Sequence, residues 1–350
     1  MKIVVRGTNW IGDAVMTIPA LRALRRIFPK AHISLHTREW AEGIFRDADF
    51  IDEILTFPRI ASNLKEVIEQ SKALRIGHFD LAVLFPGSFA SALTVRFAGI
   101  PKRFGYSKES RRIFLTDPIP VPKWKSTRHE VFYYLNLVSA IERALLTTDT
   151  VASMDPSTKI AVSDGRKKRA RDLLTAYGVD PSVKVIAIGA GSTNSIAKRW
   201  HMENYARLND RLQGELNAAV VLVGSAEDAD ASDAVFEFAE RKPIDLTGKT
   251  KLDEAVALLG EVDLLISNDM GLAHVAPAVG TESLVIFGPT DPLTTRPYSN
   301  RAKVINKDVE CSPCMLRNCP IDHRCMTRIL VDEVFDSAEK KLGASRNDSK

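Results

Sequence analysis

Short apolar runs alternate with amphipathic segments along the whole chain, and few folds accept that pattern. In the first half the runs are Ile3–Arg6, His32–His36, Glu53–Phe57 and Leu81–Phe85. Between the first two, Ile18, Leu21, Leu24 and Phe28 recur at three- and four-residue steps over Asp13–Phe28, which predicts a helix. The second half repeats the plan, with runs at Val185–Ile188, Ala219–Val223, Leu264–Ser267 and Leu284–Phe287. Helices are expected there over Glu203–Leu212, Asp228–Glu240, Leu252–Leu259 and Leu272–Val279. Strands that read as continuous apolar runs are buried on both faces. The chain is therefore expected to be α/β, with a parallel sheet covered by helices on both sides, built once in each half.

The length of 350 residues suits two domains of about 150 residues each. From Leu146 to Lys184 the pattern degrades into turn-rich stretches and one charged helix, Ser163–Leu174, so the boundary is expected there. This gives an N-terminal lobe over 1–160, a C-terminal lobe over 161–327, and a helix with a polar tail over 328–350. Ligands of doubly wound sheets bind at the carboxyl ends of the strands, and the motifs below all follow such ends.

A hydrophobic content of 45% and a charged content of 26% are those of a globular protein. No apolar run approaches the ~20 residues of a membrane span, and Met1–Arg6 does not have the pattern of a signal peptide. The expected location is cytoplasmic. The net charge of +4 is unevenly placed. Lys102, Arg103, Lys108, Arg111, Arg112, Lys123, Lys125 and Arg128 crowd one stretch, among Phe104, Tyr106, Phe114 and Trp124. That stretch is either a solvated loop region or a surface for an anionic partner such as a phosphorylated lipid or a membrane face. Nucleic acid is not expected, since no binding motif appears and the rest of the chain is nearly neutral.

Five turns carry the chemistry. Gly7-Thr8-Asn9-Trp10-Ile11-Gly12-Asp13 joins the first strand to its helix, and its glycines let a ligand approach the backbone. It is not a dinucleotide fingerprint, and His36-Thr37-Arg38 ends the second strand without an acid for a ribose. Asp13 is either a first-turn carboxylate, worth about 0.3–1 kcal/mol against the helix dipole, or a functional acid. Gly189-Ala190-Gly191-Ser192-Thr193, followed by Lys198-Arg199-Trp200, offers amides, hydroxyls and a cation to a diphosphate. In Gly224-Ser225-Ala226-Glu227-Asp228, Ser225 and Asp228 resemble a capping box, and Glu227 has the chemistry to accept hydrogen bonds from a ribose diol. Asp228 with Asp230, like Asp47 with Asp49, reads as acids on or beside surface helices rather than a metal pair. Ser267-Asn268-Asp269-Met270-Gly271-Leu272-Ala273-His274 ends a buried strand and opens a helix whose free amides suit an anion. His274 is either a core histidine or one more donor to that anion. Phe287-Gly288-Pro289-Thr290-Asp291-Pro292 closes the following strand.

The order and spacing of Gly12-Asp13, Lys198-Arg199-Trp200, Gly224-Ser225-Ala226-Glu227, Asn268-Asp269-x-Gly271-Leu272-x-His274 and Phe287-Gly288-Pro289 resemble the bacterial lipopolysaccharide heptosyltransferases, glycosyltransferase family 9, most of all the heptosyltransferase II branch. The resemblance runs from Lys2 to Cys325. It implies two Rossmann-like lobes facing a central cleft, the GT-B arrangement. It also implies inverting transfer of L-glycero-D-manno-heptose from ADP-heptose to the inner core of lipid A-linked saccharide, with no required metal or cofactor. Such an acceptor implies peripheral contact with the cytoplasmic face of the inner membrane. By the same resemblance Asp13 would be the general base, Lys198 would touch the donor phosphate, and Glu227 the adenosine ribose. Asp269, Gly271, Leu272 and His274 would touch the phosphates and form their loop, which includes Met270. From the turn and the basic stretch themselves, Ser192 and Thr193 are expected at the diphosphate and Arg111 and Arg112 toward the anionic acceptor. Met270 departs from the family, which has Ser or Thr there, so the amides must serve without that hydroxyl. Another nucleotide-sugar transferase or epimerase, or a non-catalytic nucleotide-sugar sensor that does not need Asp13, would share much of this inventory.

Cys311, Cys314, Cys319 and Cys325, with His323 between them, have ligand types and a first spacing that suit zinc, but later spacings unlike a common finger. Reduced structural thiols or a redox pair fit equally well. The segment follows the last of the five turns and is expected to be dispensable for the chemistry.

Overall fold

The computed structural model describes residues 1–58, 63–108 and 110–344. The chain divides into two units, Met1–Thr158 and Lys159–Lys350, two residues from the expected boundary. In the first unit the strands are β1 (Lys2–Arg6), β2 (His32–Arg38), β3 (Glu53–Phe57), β4 (Leu81–Leu84), β5 (Lys102–Tyr106) and β6 (Asp117–Ile119). They form one sheet in the order β3-β2-β1-β4-β5-β6, and every pairing is parallel. The second unit holds β7 (Val185–Gly189), β8 (Ala219–Leu222), β9 (Ile244–Asp245), β10 (Leu264–Asn268), β11 (Glu282–Ile286) and β12 (Ala302–Ile305). Their order, β12-β11-β10-β7-β8-β9, is the same winding again, and all of its pairings are parallel.

Burial on both faces follows from the sequence of these strands. Ile3, Val4 and Val5 are at most 1% exposed, as are Leu264, Leu265 and Ile266. Each strand returns to the sheet through a helix, and right-handed crossovers put helices on both faces. In each unit the winding reverses once, between β1 and β4 and between β7 and β10. At such a reversal adjacent connections leave in opposite directions and open a crevice at the strand ends. The turns after β1, β7 and β10 therefore border the crevice of their own unit.

The basic stretch is not a solvated loop throughout. Lys102–Tyr106 is a strand of the sheet with Phe104 and Tyr106 buried, and the Tyr106 hydroxyl donates to the Tyr133 carbonyl at 2.7 Å. The C-terminal helix expected within 328–350 runs over Val331–Ala344, and residues 345–350 lie outside those described.

The turn-rich boundary is ordered by one acid. Glu142, on the helix Glu130–Leu146, is 1% exposed. It accepts hydrogen bonds from Thr148 Oγ1 at 2.8 Å, Thr150 N at 3.0 Å, Thr150 Oγ1 at 2.7 Å and Val151 N at 2.8 Å. Burial by itself would raise its pKa, but these donors outweigh it and bring the carboxyl down to about 2, from an ordinary 4.5. A depressed carboxylate stabilises the fold above the unfolded-state value and loses that contribution as pH falls toward the folded-state value. Stability should therefore drop by about 3 kcal/mol between pH 4.5 and 2 from this group. Glu142→Gln should cost about 1–3 kcal/mol at neutral pH and flatten that acid limb. Urea titrations of both proteins across this range test it, and parallel acid limbs would show that Glu142 is not the group responsible.

Candidate functional site

In the second unit the site is organised around one amide. Asn268, the last residue of β10, is fully buried. Its Oδ1 accepts from the Trp200 amide and the Tyr205 hydroxyl, both at 2.9 Å. Its Nδ2 donates to the carbonyls of Ala190 at 2.6 Å and Gly191 at 3.2 Å. All four hydrogen-bonding positions of the side chain are used. They tie the end of β10 to the turn after β7 and to the segment carrying Lys198.

That segment delivers its cation beside an acid. Lys198 Nζ lies 2.6 Å from Asp269 Oδ2, which also accepts from Thr290 Oγ1 at 2.8 Å. Asp269 is 7% exposed in its side chain and Lys198 26%, so the acid is interior and the cation reaches solvent. Asp269 thus faces Lys198 and Thr290, and a carboxylate so placed holds the lysine for an anion rather than meeting the anion itself. Met270 begins the helix Gly271–Ala278 in extended conformation, and no side chain caps that helix. The amides of Gly271 and Leu272 open the helix there, and His274 stands in its first turns, 6% exposed.

Two glycines are fixed by contact. A Cβ on Gly189 would lie 2.9 Å from Met270 Sδ, so the methionine rests against the bare backbone of β7. A Cβ on Gly191 would fall 2.2 Å from Asp228 Oδ1. Asp228 is 2% exposed, which corrects its reading as a surface acid. It accepts from Ser225 N at 3.0 Å and Ser225 Oγ at 2.8 Å, completing the expected capping box, and from Thr193 Oγ1 at 3.3 Å. The Thr193 hydroxyl therefore ties its turn to the turn after β8, while Ser192 is buried beside it and Glu227 is exposed. Asp230 pairs with Arg199 at 2.6 Å.

In the first unit Asp13 lies in the first turn of the helix Ile11–Ile27, half-buried, after the turn that leaves β1. Tyr134, from the helix Glu130–Leu146, is buried near it; burial first and Asp13 second hold its hydroxyl well above the ordinary phenol range. Arg111 departs from its expected role at the surface. It is fully buried, with Nε donating to the Tyr106 carbonyl at 2.7 Å and Nη1 to Ser91 Oγ at 3.1 Å, and serves as a strut. Arg112 is exposed, next to Ile113 at 77%.

The four cysteines and His323 line one cavity together with Ala197 and Pro289. Among the described residues, no group of three or more His, Cys, Asp or Glu side chains is arranged to hold a metal ion. Burial first, then the neighbouring thiols, push Cys325 up to about 11.

Asn268, Thr290 and Asp228 hold the site together; motif reading gave Asp228 only its capping box and quoted Asn268 and Thr290 without a role. The signal for Asn268 was available: an amide closing the otherwise apolar run Leu264–Ser267 must have buried partners.

The sequence profile described as glycosyltransferase family 9 (heptosyltransferase) matches residues 67–324. Lipopolysaccharide heptosyltransferase 2 of Escherichia coli K12 is 31% identical over 313 residues, 87% of this chain and 88% of that protein. Lipooligosaccharide heptosyltransferase 2 of Campylobacter jejuni serotype O:6 is 25% identical, over 97% of this chain and 99% of its own. The solved structure of E. coli ADP-heptose lps heptosyltransferase II superposes with a TM-score of 0.85 at 27% identity, covering 99% of this chain and all of that one.

The contact at Gly191 gives a direct test of the site's framework. Gly191→Ala must displace Asp228 and release both Ser225 and Thr193, costing about 1–3 kcal/mol of stability and weakening ADP binding. Calorimetric titration with ADP alongside thermal unfolding reads both effects. Unchanged values would mean that the turn after β7 moves freely and Asp228 does not fix it.

Proposed function

The chain belongs to glycosyltransferase family 9, and on that premise we propose that it transfers L-glycero-D-manno-heptose from ADP-heptose to the inner core of lipopolysaccharide. The observation that carries the reading is the ion pair of Lys198 and Asp269 beside the uncapped helix start at Gly271. A cation and free amides at the switch point of a doubly wound sheet are what a departing diphosphate needs. Full-length similarity to heptosyltransferase II supports the sugar and the acceptor.

The reaction is a single displacement. An acceptor hydroxyl attacks the anomeric carbon, its proton passes to the Asp13 carboxylate, and the bond to the ADP oxygen breaks with inversion. Lys198 and the amides of Gly271 and Leu272 receive the charge that develops on ADP, and Glu227 accepts hydrogen bonds from the ribose. Asp269 positions Lys198, with Thr290 holding Asp269 in turn. Met270 offers no hydroxyl, so the backbone carries the phosphate contact there.

The acceptor is anchored in a lipid, and the exposed Arg112 and Ile113 suit a surface that meets an anionic bilayer, with Lys108 and Lys123 exposed in the same stretch. The location that follows is the cytoplasmic face of the inner membrane, with peripheral contact; among the described residues no helix is long and apolar enough to cross a membrane. Arg112→Ser should weaken binding to vesicles containing anionic phospholipid by about fivefold and raise the KM for lipid-linked acceptor. Sedimentation with vesicles and acceptor kinetics test this, and wild-type values in both would return the segment to a solvated surface.

Asp13 separates a transferase from a protein that only binds nucleotide sugar. Asp13→Asn keeps size and polarity at the helix start but cannot take a proton. Transfer should fall by roughly 10²–10⁴, the contribution of a positioned base, while ADP affinity, set by residues of the second unit, stays the same. Turnover within a few-fold of wild type would remove Asp13 from the mechanism.

A further inference from the structure

The carboxyl ends of β1 and β2 carry charge that the mechanism above does not use. Arg6, the last residue of β1, is 5% exposed. Its Nη1 lies 2.7 Å from His36 Nδ1 and its Nη2 donates to Gln70 Oε1 at 2.9 Å. The guanidinium carbon sits 3.7 Å from the centroid of the Phe57 ring. None of these partners brings a negative charge. His36 is 3% exposed, and burial first, then Arg6, hold it well below its ordinary pKa, so it is neutral at pH 7. Two residues along β2, on the same face as His36, stands Arg38, whose Nε is enclosed with no partner among the described residues. Arg38 acts on Arg6 as one cation on another: burial first and Arg38 second lower the Arg6 pKa, to about 9. Thr8, next but one to Arg6 in the chain, is 5% exposed, and its hydroxyl has no partner among the described residues.

A buried cation is costly unless an opposite charge meets it. Lys198 is met in this way by Asp269, and the buried Arg111 by carbonyl and hydroxyl oxygens. Two arginines with no carboxylate partner among the described residues, at the strand ends of a doubly wound sheet, stand where ligand groups bind in such folds. The guanidinium fork matches the oxygens of a phosphate or carboxylate, and a threonine hydroxyl adds a donor. The same strand, β1, leads through the turn at Gly7 to Asp13.

We propose that Arg6, Arg38 and Thr8 form an oxyanion subsite that takes a phosphate or carboxylate group of the acceptor saccharide. The inference rests on the transferase reading for the identity of the acceptor, but not for the existence of the site. Arg38 is half-buried and joins no ion pair among the described residues, so Arg38→Gln should fold normally, and circular dichroism checks that it does. Inorganic phosphate is titrated calorimetrically into the full chain saturated with ADP, so that the donor side is already filled. Wild type should bind it saturably, and Arg38→Gln should bind about tenfold or more weakly. Arg6→Lys, which keeps the charge and loses the fork, should fall between them. In transfer assays Arg38→Gln should raise the acceptor KM and leave that for ADP-heptose unchanged. Acceptor core treated with phosphatase and core with its carboxyl groups reduced then tell the two sources apart. The difference between wild type and variant should vanish with whichever acceptor has lost the bound group.

Absence of phosphate binding by wild type, or equal binding and equal acceptor KM in Arg38→Gln, would overturn the proposal and leave the two arginines as internal struts. A chain that transfers nothing from ADP-heptose but binds phosphate through Arg38 would sink the transferase reading and keep the subsite.

Discussion

The second unit depends on the side chain of Asn268. A buried amide with four partners is a constraint rather than a large source of stability, because each bond replaces one made to water in the unfolded chain. Its value lies in what it joins: the backbone after β7, the backbone of Trp200, and Tyr205 on the following helix. Lys198 is two residues from Trp200, so the amide sets where the cation emerges. Trp200 is itself fully buried, and its indole donates to the Ile329 carbonyl at 3.1 Å. The link before the C-terminal helix thereby holds the segment from one side, as Asn268 does from the other.

The two units handle charge differently at their strand ends. In the second, the cation that meets solvent is matched by an interior acid, which leaves a near-neutral pair that a dianion can polarise without a large rearrangement. Preorganised charge of this kind requires no reorganisation at the moment of reaction. In the first, buried cations rest on an imidazole, an amide and an aromatic ring, so the positive charge stays available to whatever approaches. Asp13 follows in the same unit, and its neighbour Tyr134 remains protonated at any working pH.

Much of this was legible in the sequence. Strands such as Val185–Ile188 and Leu264–Ile266 are apolar at every position, and such runs alternating with helices mark a buried parallel sheet. Illegible were the outer strands: β9 has two residues, and β5, paired between β4 and β6, begins with Lys102 and Arg103 while Phe104 and Tyr106 go inward. The residues of the glycine- and hydroxyl-rich turns were found by motif, because such turns stand out between apolar runs. Those that hold them were not. Asp228 looked like a surface acid with a local capping partner, since what buries it, Thr193 and the backbone of Gly191, comes from a different turn. Arg111 looked like part of a basic surface since its partners are backbone oxygens, which no sequence pattern marks.

The placement of the tryptophans gives the protein its own optical labels. There are four, at positions 10, 40, 124 and 200, and the second unit contains one of them, Trp200. Enclosed in apolar surroundings and edge-on to Tyr205 at 5.0 Å, that indole should emit toward the blue and resist collisional quenchers. Trp10 is 56% exposed at the start of the helix that bears Asp13, and should emit toward the red and quench freely. Events in the two units thus have separable intrinsic fluorescence, without any dye attached to either.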